Sequence, residues 1–209
     1  MSELQNFNSY TADLLSACTL CPRACKVNRI AGQIGVCGEG AQIRAARAAL
    51  HFWEEPCISG KSGSGAVFFS GCSVGCVFCQ NQTIAHGETG FSLTSRRLSE
   101  IFLDLQAQGA NNINLVTPTH FIPQIREALL LAKDAGLFLP IVYNTSGYEK
   151  VESLHLLHGL VDIYMPDCKY YSSKLSTRYS HCGDYFAQTS QAITEMVRQV
   201  GTPLFNGDP

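Results

Sequence analysis

The chain has 209 residues, of which 45% are hydrophobic and 15% are charged, a composition typical of a globular protein with a substantial core. Fifteen Lys and Arg residues against 17 Asp and Glu give a formal charge of -2, so the chain lacks the basic excess that would hold nucleic acid. No signal peptide and no apolar stretch long enough to cross a bilayer is recognisable, and we therefore expect a cytoplasmic protein.

The first 60 residues are predicted to form an appended module, with a leading helix followed by a turn region rich in cysteine and glycine. In a reducing cytosol, closely spaced cysteines bind metal more often than they form disulfides. Four cysteines of this module form a first group, Cys18, Cys21, Cys25 and Cys37. Four soft ligands are enough to close the coordination shell of a metal, and the spacing leaves open whether zinc or a 4Fe-4S cluster would bind.

From about residue 66 onward, short apolar runs alternate with amphipathic stretches, which is typical of parallel strand-helix units. The helices are recognised by apolar side chains that recur at i, i+3, i+4 and i+7, as in the stretch 98–105. Four such units predict an α/β fold, either an open sheet or part of a barrel, with its chemistry at the carboxyl ends of the strands. The predicted strands are 66–70, 112–117, 139–143 and 161–165, and the predicted helices end near Gly109, Gly136, residue 157 and Gly201.

The first of these strands leads directly into a loop that carries Cys72, Cys76 and Cys79. Their C-x-x-x-C-x-x-C spacing allows three thiolates to reach three irons of a 4Fe-4S cluster and leaves the fourth iron open. An open iron can chelate a small molecule through an amine and a carboxylate. The alternative is a zinc site completed by His86, although zinc knuckles more often use paired C-x-x-C ligands.

Three further cysteines, Cys57, Cys168 and Cys182, lie apart from both groups. None of them has a partner at ligand spacing in the sequence. We therefore predict ordinary buried or half-buried thiols at these positions rather than metal ligands.

The cysteine loop, with the aromatic Phe78 directly before its last cysteine, resembles the signature of the radical S-adenosylmethionine (SAM) superfamily. Other segments resemble proteins related to pyruvate formate-lyase activating enzyme, and together they cover most of the chain. These segments are CTLCPRAC (18–25), GSGAVFFSGC (63–72), NINLVTPTH (112–120), PIVYNTSGY (140–148) and VDIYMPDCKY (161–170).

The resemblance implies an enzyme, an oxidoreductase or lyase, in which SAM caps the open iron of the cluster. An electron from the reduced cluster then splits SAM, and the 5'-deoxyadenosyl radical abstracts a hydrogen atom from the substrate. Cys72, Cys76 and Cys79 would be the catalytic cluster ligands, and Phe78 would lie against the adenine.

The resemblance also implies that the end of the second strand binds SAM. Relatives carry a Gly-Gly-Glu element there for the SAM amino group, and this chain has Thr117-Pro118-Thr119-His120. Thr117 and Thr119 can still offer hydroxyl and carbonyl acceptors to an ammonium group. For His120, a role in binding SAM or substrate and a plain polar position at a wet barrel mouth are both open.

At the third strand, Asn144 and Thr145 stand in a segment that resembles the Asp-Thr-Asn-Gly turn of relatives. At the fourth, Asp167 and Lys169 stand in a segment that resembles Met-Leu-Asp-Leu-Lys. By resemblance, Asn144, Thr145, Met165 and Asp167 would surround the methionine end of SAM, and Lys169 would reach its carboxylate. A surface ion pair is the alternative for Asp167 and Lys169.

Radical SAM barrels of this kind usually have six strand-helix units, and this chain ends after the fourth. The resemblance therefore implies a partial, truncated (β/α)6-type barrel over 61–209 beside the module 1–60. A glycyl radical enzyme or another protein is the implied substrate, and reduced flavodoxin or ferredoxin is the implied electron donor. Two alternatives stay open: an enzyme acting on a small molecule or peptide, and a metal-binding scaffold or electron carrier that never cleaves SAM.

Overall fold

The computed structural model of the protein describes residues 11–202, so the outer ends of both predicted domains lie outside the described residues. Its centre is a six-stranded mixed sheet in the order β3-β1-β2-β4-β5-β6. The strands are β1 (Ile43–His51), β2 (Ser64–Phe69), β3 (Phe91–Leu93), β4 (Ile113–Val116), β5 (Ile141–Thr145) and β6 (Ile163–Pro166).

Eight α-helical segments accompany the sheet within the described residues, together with a 3-10 turn at Thr119–Phe121. Among residues 11–202, no helix has both the length and the apolar character needed to cross a membrane. The helices are α1 (described over 11–16), α2 (Pro56–Ser59), α3 (Gln82–Ala85), α4 (Ser95–Ala107), α5 (Ile122–Asp134), α6 (Val151–His155), α7 (Ser173–Ser180) and α8 (Tyr185–Val200).

The four strands predicted from the sequence are the parallel half of the sheet, β2, β4, β5 and β6. The α/β class is therefore confirmed. The third strand begins two residues later than predicted, because it starts after Pro140, which has no N–H for the sheet ladder. The predicted helices correspond to α4, α5, α6 and α8.

Two antiparallel strands complete the sheet, and the sequence did not predict them. β1 pairs with β2 and also with the short edge strand β3. Alanine and arginine dominate β1 (IRAARAALH), and both favour helices, so strand pairing overrides the local preference here. The sheet therefore contains strands from both sides of residue 60, the position that we predicted as the boundary of the appended module.

One face of the sheet carries the main hydrophobic core. Val67, Leu115 and Tyr143 lie side by side on three neighbouring strands and are fully buried. They belong to the same packed cluster as Phe102 of α4 and Ile125 of α5. The apolar positions recognised at i, i+3 and i+4 are thus the faces that α4 and α5 bury.

The opposite face of the parallel strands is less covered. Phe68, Val116, Asn144 and Met165 form one row across it, and each is half-buried. Within the described residues the sheet is not closed into a barrel, since β3 and β6 form its two edges.

Candidate metal and cofactor site

The cysteine loop occupies residues 70–81, directly after β2. Gly71 begins it with a φ of 80°, a conformation that favours glycine. A side chain there would also place its Cβ 2.5 Å from the carbonyl oxygen of Cys37. The N–H of Cys72 donates to that same carbonyl at 3.0 Å, so the loop is joined to the amino-terminal cysteine segment from its start.

The three thiols of this loop lie against one small hydrophobic cluster that includes Tyr148 and Tyr185. Burial raises the pKa of Cys72, the backbone N–H groups of Gly75 and Val74 act to lower it, and the charges of Cys76 and Cys79 raise it further. In residues 11–202, no group of three or more His, Cys, Asp or Glu side chains is arranged so that it could hold a metal ion. The loop carries three soft sulfur ligands, and the sulfurs of Cys72 and Cys76 accept hydrogen bonds from the Val74 N–H at 3.4 Å and the Ser180 hydroxyl at 3.1 Å.

The carboxyl end of α7 packs on this loop. The Ser180 hydroxyl donates to the Cys76 sulfur at 3.1 Å, and the N–H of Val77 donates to the Tyr179 carbonyl at 3.0 Å. Cys182 follows two residues later, buried in the same hydrophobic cluster as Cys76. No cysteine stands at ligand spacing from Cys182 in the sequence, yet the fold brings Cys182 beside the cysteine loop.

The two other isolated cysteines differ from our prediction. Cys57 and Cys168 are exposed rather than buried or half-buried. Cys57 lies in the four-residue helix α2, and Cys168 follows β6 in a segment without regular structure. Neither position is covered by a packed element, so neither thiol is buried.

Phe78 is 56% exposed although it is a large aromatic residue. The centre of its ring lies 6.1 Å from that of Tyr170 and 6.5 Å from that of Tyr179, both in edge-on contact. One side of the ring thus rests on tyrosines, while the rest remains exposed.

The four amino-terminal cysteines lie in one segment, and the sulfurs of Cys25 and Cys37 both lie beside Gly35. Burial raises the pKa of Cys21 to about 12 and that of Cys37 to about 11, and the charges of neighbouring thiols add to both shifts. Those neighbours are Cys37 and Cys18 for Cys21, and Cys18 and Cys25 for Cys37. The segment therefore carries four soft sulfur ligands, of which Cys18, Cys21 and Cys37 are buried.

A buried arginine accompanies these thiols. Arg29 is 1% exposed and donates to the Cys18 sulfur at 3.8 Å and to the His120 carbonyl at 2.6 Å. Its charge lowers the pKa of Cys37, against the larger effect of burial. A cation at this position offsets the negative charge of thiolates, and it was not recognised in the sequence.

Arg23, between Cys21 and Cys25, reaches from this segment to the cysteine loop. Its guanidinium donates to the carbonyls of Ser73 at 2.8 Å and Val74 at 3.2 Å. It also donates to the carbonyls at the end of α7, to Ser180 at 2.8 Å and to that of the next residue. One side chain therefore ties together the amino-terminal segment, the cysteine loop and α7.

The predicted SAM contacts Thr119 and Thr145 meet on a buried carboxyl group. The Thr119 hydroxyl donates to Glu149 at 2.6 Å, and the Thr145 hydroxyl donates to the same oxygen. Burial raises the pKa of Glu149 to about 7, while the two hydroxyls act to lower it. Its charge also raises the pKa of Cys21, and the nearby Ser153 hydroxyl donates to the Leu20 carbonyl at 2.7 Å, so this segment packs against the amino-terminal cysteine segment.

Glu149 was missed in the sequence because a charged residue just before a short helix normally faces solvent. The signal that could have found it is its position, two residues after the glycine that follows β5. Strand ends of parallel sheets are where buried polar groups of this kind collect.

Thr117 and Asn144 lie at neighbouring strand ends. Thr117 has a φ of 57°, uncommon for a residue with a branched side chain, and its N–H donates to the Asn144 carbonyl at 2.9 Å. The Asn144 amide donates to Glu54 at 3.2 Å, and the amide of Asn114 donates to the same oxygen at 2.9 Å. Glu54, another group missed in the sequence, thus places a carboxylate on the less covered face.

Asp167 and Lys169 form an ion pair, and both residues are exposed. The Tyr185 hydroxyl lies behind them, donating to the Ser146 carbonyl at 2.5 Å and accepting from the Lys169 N–H at 3.0 Å. The ends of β5 and β6 are therefore held together by a buried tyrosine, with the charged pair directed outward.

His120 does not lie at an open mouth, as one of the two readings of the sequence had it. It is 1% exposed, and its Nε2 lies 2.6 Å from the Ser70 carbonyl. Burial lowers the pKa of His120 to about 4, so the ring is neutral at physiological pH. Its ring packs against that of Phe121, with the ring centres 4.4 Å apart.

These features define a mixed α/β protein with two groups of cysteines and a set of polar strand ends on an open sheet. No protein-family model matches the chain. Uncharacterized protein MJ0674 of Methanocaldococcus jannaschii is 28% identical over 184 residues, which cover 83% of this chain and 52% of that protein. The chain spans about half the length of the curated relative it matches.

Proposed function

We propose that the protein is a radical SAM enzyme whose 4Fe-4S cluster is held by Cys72, Cys76 and Cys79. The observation that carries the proposal is the loop at the end of β2, where three thiols lie against one hydrophobic cluster. Thiolates are the ligands that iron-sulfur clusters take, and three of them leave one iron for SAM. When bound, the cluster supplies the electron that cleaves SAM to methionine and the 5'-deoxyadenosyl radical.

Several side chains of the chain would hold SAM. Phe78 offers an exposed ring for the adenine, and Asp167 and Lys169 offer opposite charges at the end of β6. Thr117 supports the comparison with relatives, because its positive φ falls where they carry glycine. Asn144 is half-buried at the adjacent strand end.

Thr119 and Thr145 have a different place in this proposal. Both are buried and donate their hydroxyl protons to Glu149. We therefore propose that Thr119 and Thr145 hold the Glu149 carboxyl group at the strand ends. The less buried residues named above would then make the contacts with SAM.

The fold and partners follow from the same proposal. The four parallel strands would be four units of a (β/α)6-type barrel, and β6 would be its open edge. The amino-terminal thiols would hold zinc or a second 4Fe-4S cluster. The substrate would be a glycyl radical enzyme or another protein, with reduced flavodoxin or ferredoxin as the electron donor.

The test is anaerobic reconstitution with iron and sulfide, followed by reduction with dithionite in the presence of SAM. We expect a reduced-cluster EPR signal that changes when SAM is added, together with 5'-deoxyadenosine in the products. Cys76→Ala should lose both, whereas Cys57→Ala, at an exposed thiol outside both groups, should keep both.

Two other outcomes would contradict the proposal. A cluster that neither responds to SAM nor yields 5'-deoxyadenosine would favour a scaffold or electron carrier. Protein that takes up only zinc at the three-cysteine loop would rule out the cluster itself.

A further inference from the structure

A buried pair of hydroxyl groups lies behind the cysteine loop. The Ser180 Oγ is 3.1 Å from the Cys76 sulfur, and the Tyr170 hydroxyl is 2.6 Å from the Ser180 Oγ. Ser180 is fully buried and Tyr170 is 7% exposed. Water therefore does not compete for these hydrogen bonds, which strengthens them.

The direction of the two hydrogen bonds follows from the chemistry of the acceptor. A cysteine that binds iron is a thiolate and can only accept, so the single Ser180 proton must point to the Cys76 sulfur. Tyr170 must then donate to Ser180. The result is a chain of two donors that ends on one ligand sulfur.

The backbone holds this chain in place. α7 ends at Ser180, and the next residue, His181, has a left-handed φ of 53° that turns the chain sharply. Arg23 binds the carbonyls of both residues, and the Tyr179 carbonyl accepts from the cysteine loop. The hydroxyl is thus fixed before any cluster binds, as a residue that orients a ligand needs to be.

Resting on the proposed function, we infer that Ser180, supported by Tyr170, is a positioning residue that raises the reduction potential of the cluster through Cys76. In the step concerned, one electron from an external reductant enters the oxidised cluster, and no bond is made or broken. The reduced cluster carries one more negative charge, so a donor to its ligand sulfur stabilises it relative to the oxidised form.

The test is an anaerobic redox titration with dithionite, followed by EPR of the reconstituted protein. Ser180→Ala should make the reduction equilibrium about tenfold less favourable, a shift of about 59 mV to lower potential for a one-electron couple. Ser180→Thr, which keeps the hydroxyl, should restore most of the shift. Tyr170→Phe should shift the potential in the same direction by less, since Ser180 can still donate.

Ser176→Ala is the matched control. Ser176 is buried in the same helix, but its hydroxyl donates to the Ser173 carbonyl and not to a cysteine. Removing the Ser176 hydroxyl should leave the reduction potential of the cluster unchanged, although it should destabilise the helix about as much as Ser180→Ala does. Equal potentials for Ser180→Ala and the wild type would overturn this inference while leaving SAM cleavage intact, whereas absence of any cluster in the wild type would overturn the proposed function.

Discussion

The N–H of Cys72 donates to the carbonyl oxygen of Cys37 at 3.0 Å, and this bond joins the two groups of cysteines. Arg23 strengthens the same junction from the side, because its guanidinium binds carbonyls of the cysteine loop and of α7. The amino-terminal segment and the loop are therefore one structure, and a change in either should affect the other.

Arg23→Ala should reduce the free energy of unfolding by about 2–4 kcal/mol, because it leaves several half-buried carbonyls without their charged donor. Urea unfolding measures this change. Arg97→Ala is the control, since Arg97 is exposed and pairs with Glu100 on its own helix. Equal losses for the two variants would contradict the role of Arg23 at the junction.

Gly71→Ala should reduce the free energy of unfolding by about 2–5 kcal/mol. The new Cβ would overlap the Cys37 carbonyl, and the positive φ of this residue disfavours any side chain. Gly75→Ala in the same loop meets nothing within 4 Å, so only the backbone cost of about 1–2 kcal/mol applies. Thermal or urea unfolding of the two variants gives the comparison. A loss for Gly75→Ala as large as that for Gly71→Ala would show that the close approach to Cys37 is unimportant.

Glu149 should make the metal-free chain less stable as the pH rises. Burial raises the pKa of Glu149 from 4.5 to about 7, so the folded state keeps a proton that the unfolded chain releases within this window. The contribution of Glu149 to the free energy of unfolding is greatest below pH 4.5 and is lost as the pH rises through about 7. The loss is on the order of 3 kcal/mol.

Urea unfolding at pH 5 and pH 8 tests this expectation. Glu149→Gln, which keeps the shape without the ionisable proton, should remove this part of the pH dependence. If the wild type and Glu149→Gln lose the same free energy of unfolding between the two pH values, the Glu149 carboxyl group is not the source of the pH dependence.

Cys21→Ser should remove the metal bound by the amino-terminal thiols and leave the cluster of the cysteine loop in place. Cys21 is buried among those thiols, and a serine hydroxyl is a poor ligand for zinc or iron. Metal analysis and EPR of the reconstituted variant separate the two sites. Cys168→Ser, at an exposed thiol, serves as the control, and an unchanged metal content in Cys21→Ser would argue against a four-cysteine site.

Much of the parallel half of the fold could be predicted from the sequence. β4 and β5 are short apolar runs, and α4 and α5 repeat their apolar residues at helical spacing, so both signals are local. The two cysteine groups were equally visible, because the residues of each lie within a short stretch.

α7 was not predicted because its sequence, SKLSTRYS, has almost no apolar face. Its buried residues are Ser176 and Ser180. The Ser180 hydroxyl donates to Cys76 in a distant part of the chain, whereas the Ser176 hydroxyl donates to Ser173 in the same helix. Periodicity of apolar residues cannot reveal a helix that packs through hydroxyl groups.

The sequence by itself determined which thiols are grouped and which strands run parallel, because those features depend on neighbouring residues. Only the tertiary structure decided that Arg23 meets Ser180, 157 residues away, and that the Glu149 carboxyl lies beside two threonines. Such contacts depend on how distant segments pack, and a buried polar group finds its partner only when the strands and helices around it are in place.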